Sequence, residues 1–271
     1  MSVLRRGPGF ALVAGAALAL LLAFLGLPLV AIFVDVPPAD LVGALDDPAA
    51  RDALWLSLET SVIALTLILL VGTPAAWMLA TRRFRGRSAL LTVVELPLVV
   101  PPAVAGVALL ASLGPSGIVG GPLGDAGIEL VLQKAGVVVA LTFVASPFYV
   151  RQAIVAFEAV EPRLLEASRT LGAGEARTFL AVGIPVARGG LAAGAALAWG
   201  RALGEFGATL MFAGSFRGET QTTSLAIYER FATDFTGALA LSAVLVAASA
   251  AILLATKLLT PAGTEVRRAA G

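Results

Sequence analysis

The sequence of 271 residues contains no cysteine and no histidine. These absences exclude disulfide bonds, thiolate or imidazole metal ligands, and any catalytic triad that depends on a histidine base. Charge is also scarce, since Asp, Glu, Lys and Arg make up only 14% of the chain. Soluble domains usually carry about 25% charged residues, most of them on the surface. We therefore expect much of this chain to be surrounded by lipid.

Apolar residues account for 58% of the sequence, and the mean hydropathy is +0.93. The first uncharged run, 7–34, is long enough to cross a hydrocarbon layer of about 30 Å at about 1.5 Å per residue. Its Leu, Ala and Val residues follow one another without the alternation of a β-barrel strand. The sequence therefore predicts an all-α integral membrane protein with six transmembrane helices. They are expected within 7–34, 60–81, 96–124, 134–157, 187–213 and 235–256.

The first run also has features of a signal peptide. Arg5 and Arg6 precede it, and Ala17 and Ala19 flank Leu18 in the pattern of a cleavage site. The run is longer than a usual signal-peptide core, and Pro28 and acidic residues follow within and after it. We therefore predict that it is retained as the first span.

The basic residues are distributed unevenly between the predicted loops. Segments 1–9, 81–88, 151–188 and 257–271 together hold fourteen of the nineteen Lys and Arg residues. The alternate segment 35–59 instead holds five aspartates. Because basic loops tend to stay on the cytoplasmic side, both termini are predicted to be cytoplasmic.

The segment between the fourth and fifth spans is the longest basic loop. It carries five arginines and four glutamates over 151–188. Pro162 suits the first turn of a short helix, and Gly172 and Gly174 suit its end. Pro185 is predicted to open the next span. The residues alone leave two interpretations, an interfacial helix anchored by arginines or a helix on which a partner docks.

A motif in this loop resembles the permease subunits of bacterial ATP-binding-cassette importers, whose loop reads E-A-A-x3-G-x9-I-x-L-P. The matching positions are Glu166, Ala167, Ser168, Gly172, Val182, Ile184 and Pro185. Ser168, Val182 and Ile184 depart conservatively from that pattern. The resemblance implies a coupling loop over 158–185, within a single permease domain spanning 1–271, that docks in a cleft of an ATPase subunit. The residues expected to couple to the ATPase are Glu166, Ala167, Ser168, Leu171, Gly172, Ala173, Gly174, Ile184 and Pro185.

Two ionisable residues lie deep within the predicted fifth span, and a third lies at the start of the predicted third span. Arg201 and Glu205 are four residues apart, which predicts that they share one face of the fifth helix. Each charge costs about 2.5–3.5 kcal/mol at the centre of a membrane helix, so both are expected to face protein or a water-filled path. Glu95 lies at the start of the third span, next to 96–124. All three are candidates for the translocation pathway or for helix packing, and the residues alone leave both roles open.

The fifth span and the loop after it resemble the molybdate importer permeases. Tungstate and sulfate or thiosulfate permeases share the same outline, and import of one of these oxyanions is the alternative. The resemblance lies in 201–214, in Gly218-Glu219-Thr220-Gln221-Thr222, and in the proline-rich stretch 97–102 of the third span. Pro97, Pro101 and Pro102 are also expected to disturb the third helix, because proline removes backbone donors. The resemblance implies a homodimer in the cytoplasmic membrane of a bacterium or archaeon, two copies of a separate ATPase, an extracytoplasmic oxyanion-binding protein, and no cofactor.

The sequence has no G-x-x-x-x-G-K-S/T phosphate-binding loop, so the chain is not expected to be an enzyme that hydrolyses ATP by itself. Three rival classes are a secondary transporter working alone, an intramembrane enzyme, and a membrane scaffold. A secondary transporter often has inverted repeats, which are not evident, and an enzyme would have few reactive groups in these spans. The scattered arginines give no indication of nucleic-acid binding.

Overall fold

The computed structural model of the protein describes residues 8–259. Within this range every regular element is helical. The α-helices are α1 (Pro8–Val34), α2 (Pro38–Asp46), α3 (Pro48–Thr81), α4 (Arg87–Val99), α5 (Pro102–Leu113), α6 (Gly120–Asp125), α7 (Lys134–Glu158), α8 (Pro162–Thr170), α9 (Glu175–Thr178), α10 (Ile184–Leu203), α11 (Gly207–Ala213), α12 (Thr223–Phe231) and α13 (Phe235–Leu259). Most of the predicted basic segments 1–9 and 257–271 lies outside the described residues.

Five helical stretches are long and apolar enough to cross a membrane: α1, α3, α7, α9 to α10, and α13. The count rises to six when α4 and α5 are taken as one broken span, which confirms the predicted number. Prolines 28, 74 and 147 lie inside α1, α3 and α7 without ending them. Membrane helices tolerate such prolines because neighbouring groups satisfy the freed carbonyls.

The third span is broken into two half-helices. α4 and α5 meet at an angle of 117° around Val100 and Pro101. Val100 is extended, with φ −72° and ψ 127°, as expected for a residue that precedes a proline. Pro101 and Pro102 also lack the N–H groups that would continue α4. The predicted disturbance is confirmed at these two prolines, whereas Pro97 lies inside α4 and does not end it.

The fifth span differs from the prediction at both ends. It begins at Glu175 rather than near Pro185, because α9 passes through a π-helical turn (Phe179–Gly183) directly into α10. Pro185 does lie in the first turn of α10. Because proline has no N–H, it interrupts the backbone hydrogen bonds of the helix, and the wider π turn lies directly before this position. At the other end α10 stops at Leu203 and α11 starts at Gly207, so the predicted continuous helix 187–213 is wrong.

The centre of the bundle is formed by α3, α7 and α10, with α7 the most buried of the spans. Alanines on all three helices allow close packing, and polar side chains pair across them. The hydroxyl groups of Thr73 and Tyr149 lie 2.6 Å apart, and Trp199 Nε1 donates to Ser61 Oγ at 3.0 Å. By contrast, α1 packs mainly against α13 and buries none of its described side chains within this chain.

Candidate functional site

The predicted coupling loop lies at the end of the bundle where α3 ends and α4 begins. We call this the basic end, defined by Arg82, Arg83, Arg85 and Arg87 with the arginines of 158–185. Two ion pairs join its segments there. Arg82 Nη2 lies 2.6 Å from Glu175 Oε2, and Arg87 Nη2 lies 2.6 Å from Glu158 Oε1. The loop is therefore ion-paired with segment 82–87 both before and after α8.

Helix α8 forms as the sequence predicts. It starts at Pro162, whose missing N–H costs nothing in a first turn. Its end is a Schellman motif, in which Gly172 N donates to Arg169 O and Ala173 N donates to Ser168 O, at 2.9 and 3.1 Å. Gly172 has φ +82°, a left-handed conformation that strains residues with a Cβ. The predicted glycine termination is confirmed.

The surface of α8 is open. None of its side chains is buried, and Leu171 just beyond it is 88% exposed. Of the predicted coupling residues, Glu166, Ala167, Leu171, Gly172, Gly174 and Pro185 are exposed, and Ser168, Ala173 and Ile184 are half-buried. A nine-residue helix is only marginally stable alone. On its bundle side, a hydrogen bond between the Ser168 and Thr178 hydroxyl groups, whose oxygens lie 3.0 Å apart, helps to hold α8 in place.

The structure brings Arg201 and Glu205 together, although not on one continuous helix. Arg201 lies in the last turn of α10, and Glu205 lies in the break that follows. Glu205 is only 1% exposed. Its Oε1 accepts a hydrogen bond of 2.7 Å from the backbone N–H of Ala208, and its Oε2 lies 2.5 Å from Arg201 Nη2. The carboxylate therefore joins the end of α10 to the first turn of α11.

The breaks of the third and fifth spans pack against each other. A methyl group added at Gly207 would lie 2.9 Å from Pro102 Cβ, and one added at Gly106 would lie 2.7 Å from Ala208 O. Only glycine permits such an approach of the two backbones without displacement. The two discontinuous spans thus form one unit. Broken helices of this kind border the substrate path in many transporters.

Glu95 is separate from that unit in its contacts. Its carboxylate Oε1 lies 3.7 Å from Arg151 Nε, and this ion pair connects α4 with α7. Both side chains are largely exposed within this chain, at 44% and 65%. The structure therefore gives Glu95 a partner that the sequence analysis did not assign to it.

The opposite end of the bundle holds a set of ion pairs that sequence reasoning missed. Asp47 accepts from Arg230, Arg217 Nε lies 3.4 Å from Asp52 Oδ2, and a cavity of about 320 Å³ lies between α3 and the loop before α12. The Arg230 guanidinium beside Asp47 holds the pKa of that carboxyl below its ordinary value. The cluster of aspartates in 35–59 is the sequence feature that could have predicted these ion pairs, since Asp47 and Asp52 face arginines of 214–235. Within 8–259 no group of acidic side chains is placed to hold a metal ion.

A helical membrane bundle with a broken third span, a broken fifth span and an exposed helix between the fourth and fifth defines a class of transporter subunit. The fold is that of the type I ABC-importer permeases. A bacterial ABC transporter that imports the acidic polysaccharide alginate aligns with a TM-score of 0.72 and 18% identity, over 90% of this chain and 92% of that one. The MetNI methionine ABC transporter in an inward-facing conformation aligns with a TM-score of 0.61 and 20% identity, over 77% and 93%.

Residues 68–262 match the family described as binding-protein-dependent transport system inner membrane component, and the chain belongs to this family. It is 39% identical to the molybdenum transport system permease protein ModB of Mycobacterium tuberculosis, over 90% of this chain and 92% of that protein. It is 41% identical to the probable transport system permease protein NifC of Clostridium pasteurianum, over 75% and 71%. The sulfate transport system permease protein CysW of Synechocystis is 34% identical, over 89% and 88%.

Proposed function

We propose that this chain is the membrane-spanning permease of an ATP-driven importer that carries molybdate into the cytoplasm of a bacterium or archaeon. The observation that carries the proposal is its similarity, near 40% identity over most of both chains, to permeases named for molybdenum transport. The functional complex contains two copies of this chain, two copies of an ABC ATPase, and an extracytoplasmic binding protein that delivers the oxyanion. Both termini then lie on the cytoplasmic side with the basic end.

The coupling loop 158–185 is the docking site for the ATPase in this proposal. The exposure of α8 at the basic end supports this role, since apolar Leu171 and acidic Glu166 are both exposed to solvent. Leu164 and Leu171 are both exposed and add apolar surface beside these charges, and apolar patches rimmed by polar residues mark interaction sites. Glu166, Ala167, Leu171 and Gly172 are the residues that contact the ATPase, while Ser168 faces the bundle.

The unit formed by the two broken spans borders the translocation path. Arg201 and Glu205 are assigned a packing role at this unit, because Glu205 Oε1 accepts from the Ala208 N–H and Oε2 is ion-paired with Arg201 without a hydrogen bond of good geometry. A buried carboxylate left without a partner would also repel an oxyanion. Glu95 is assigned a packing role as well, through its ion pair with Arg151.

The coupling role is tested with Glu166→Arg in the complete complex reconstituted in vesicles with its ATPase and binding protein. We expect membrane insertion to be normal, and molybdate-stimulated ATP hydrolysis to fall about tenfold or more, a change typical of lost coupling between sites. Asp40→Arg is the matched control, because Asp40 is an exposed acidic residue in α2 at the opposite end. Wild-type uptake and stimulation in both Glu166→Arg and Gly172→Val would contradict the coupling role.

The substrate is tested by measuring which oxyanion stimulates ATP hydrolysis by the same complex. Molybdate is expected to do so at lower concentration than sulfate. Selective stimulation by sulfate would instead favour the function named for the Synechocystis relative.

A further inference from the structure

Three aromatic rings lie between the coupling loop and the bundle. Trp77 is near the end of α3, Phe157 is near the end of α7, and Phe179 begins the π turn before α10. The ring of Trp77 is 5.2 Å from that of Phe157 and 5.4 Å from that of Phe179, and the last two rings are 6.1 Å apart. We call these three residues the aromatic joint. It contains one residue from each of the second, fourth and fifth spans.

The π turn is fixed on Trp77 at both of its ends. Phe179 packs on the indole at the start of the turn, and Gly183 packs on it at the end. A methyl group added at Gly183 would lie 2.6 Å from Trp77 Cζ3 and 3.0 Å from Cη2. Trp77 is 5% exposed and Phe157 is 2% exposed, so the rings are enclosed on the bundle side. A displacement of the turn therefore has to move the indole.

A hydrogen bond connects the start of the turn to α8. Thr178, which directly precedes Phe179, is fully buried, and its hydroxyl lies 3.0 Å from that of Ser168 in α8. Ser168 is also a position where the loop departs from the alanine of the importer motif. The departure therefore creates a contact that an alanine would not make.

The ion pairs between the loop and the bundle are weaker than its apolar contacts, which also include Leu165 of α8. The ion pairs Arg82–Glu175 and Arg87–Glu158 are solvent-exposed, and such pairs contribute only about 0–1 kcal/mol. Close-packed interiors, by contrast, transmit displacement because they have little free volume. The route from Ser168 through Thr178 and Phe179 to Trp77 is therefore expected to transmit displacement better than these ion pairs.

We propose that the aromatic joint transmits movements of α8 to α3 and α7, with Phe179 as the positioning residue. This inference rests on the proposed function, in which the ATPase moves α8. α3 extends from Trp77 back to Pro48, a distance of about 44 Å at 1.5 Å per residue, and it begins beside the Asp47–Arg230 ion pair. A rotation or shift imposed on Trp77 therefore reaches the opposite end of the bundle through one helix.

The first test is Phe179→Ala in the complete reconstituted complex. The ATPase is expected to remain bound and its basal hydrolysis to persist, while the stimulation by binding protein and molybdate falls about tenfold, within the usual range of coupling effects. Phe231→Ala is the matched control, since it truncates one ring of the Phe231–Phe235 pair at the opposite end. Phe179→Tyr keeps the ring, so this variant is expected to retain the stimulation.

A second measurement distinguishes transmission from simple structural support. The chain has three tryptophans, so Trp55→Phe with Trp199→Phe leaves Trp77 as its only indole. The emission of Trp77, obtained as the difference from the same complex with Trp77→Phe, is expected to change when ATP binds. This change is expected to disappear in Phe179→Ala.

The outcomes separate this inference from the proposed function. If Glu166→Arg uncouples the complex while Phe179→Ala keeps full stimulation, the aromatic joint is not the transmitting element and the coupling loop still stands. Emission of Trp77 that does not respond to ATP in an active complex would also overturn the inference. If Phe179→Ala, Phe179→Tyr and Phe231→Ala all reduce assembly equally, the rings serve stability alone and the inference is wrong.

Discussion

Glu205 is the most buried acidic side chain among the described residues, and its two oxygens do different work. Oε1 accepts from the first turn of α11, whose N–H groups would otherwise lack acceptors, and Oε2 balances the charge of Arg201. Removing one member of a buried ion pair leaves the other charge without compensation, which costs more than removing both. Comparing the stability of the two single variants with that of the double variant therefore tests whether Arg201 and Glu205 act as a packing pair.

We expect Glu205→Gln to lower the free energy of unfolding by about 3 kcal/mol, because the amide can still cap α11 but leaves Arg201 unpaired. Arg201→Gln is expected to have a similar effect, and the double variant is expected to lose much less than the sum of the two. Unfolding of the purified protein in detergent, with uptake by the complex, measures both. A stable double variant without any uptake would contradict the packing role and indicate contact with the substrate.

At the scale of elements, the spans were predictable because their signal is local. Apolar runs predicted the bounds of α1, α7 and α13 and the end of α3 within a few residues, and consecutive prolines indicated the break at Pro101. The start of α3 was not predicted, because the helix begins at Pro48 rather than at 60 and includes the charged residues of 51–59. The break after Leu203 was not predicted, because the sequence there still has a helical spacing of Arg201 and Glu205. Just after the break, Gly207 packs against Pro102 of a distant segment, a contact that no local pattern reports.

The close approach of the two broken spans leads to a prediction for glycine. Gly106→Ala would place a methyl group 2.7 Å from Ala208 O and 2.6 Å from Met211 Cβ, so α5 and α11 have to separate. We expect a loss of about 1–3 kcal/mol, as for other overpacked sites, together with reduced uptake. The measurements are thermal unfolding in detergent and molybdate uptake by the reconstituted complex.

Gly189→Ala in α10 serves as the control, since a methyl group there meets nothing within 4 Å. It is expected to leave unfolding and uptake unchanged or to stabilise the helix slightly. Equal behaviour of Gly106→Ala and Gly189→Ala would show that the contact between the broken spans is not tight in the membrane.

At the scale of the whole molecule, the two ends of the bundle have opposite chemical character. Arginines of 82–87 and of the coupling loop gather at the basic end, and the aspartates of 35–59 gather at the other. The helices place these segments at opposite ends because each span reverses the direction of the chain. The sequence therefore predicted the polarity of the fold, while the cavity beside Arg217 depended on long-range contacts that no local pattern reports.

This polarity predicts which end faces the cytoplasm, and the absence of cysteine makes the test direct. Leu171→Cys, at an exposed position beside α8, and Asp125→Cys, at an exposed position at the end of α6, each introduce a single thiol. In intact cells a membrane-impermeant maleimide is expected to label Asp125→Cys, whereas Leu171→Cys reacts only after permeabilisation. Bound ATPase is also expected to protect Leu171→Cys in inside-out vesicles. Labelling of Leu171→Cys from outside intact cells would place the loop beyond the reach of any cytoplasmic ATPase, and both the orientation and the coupling role would then be wrong.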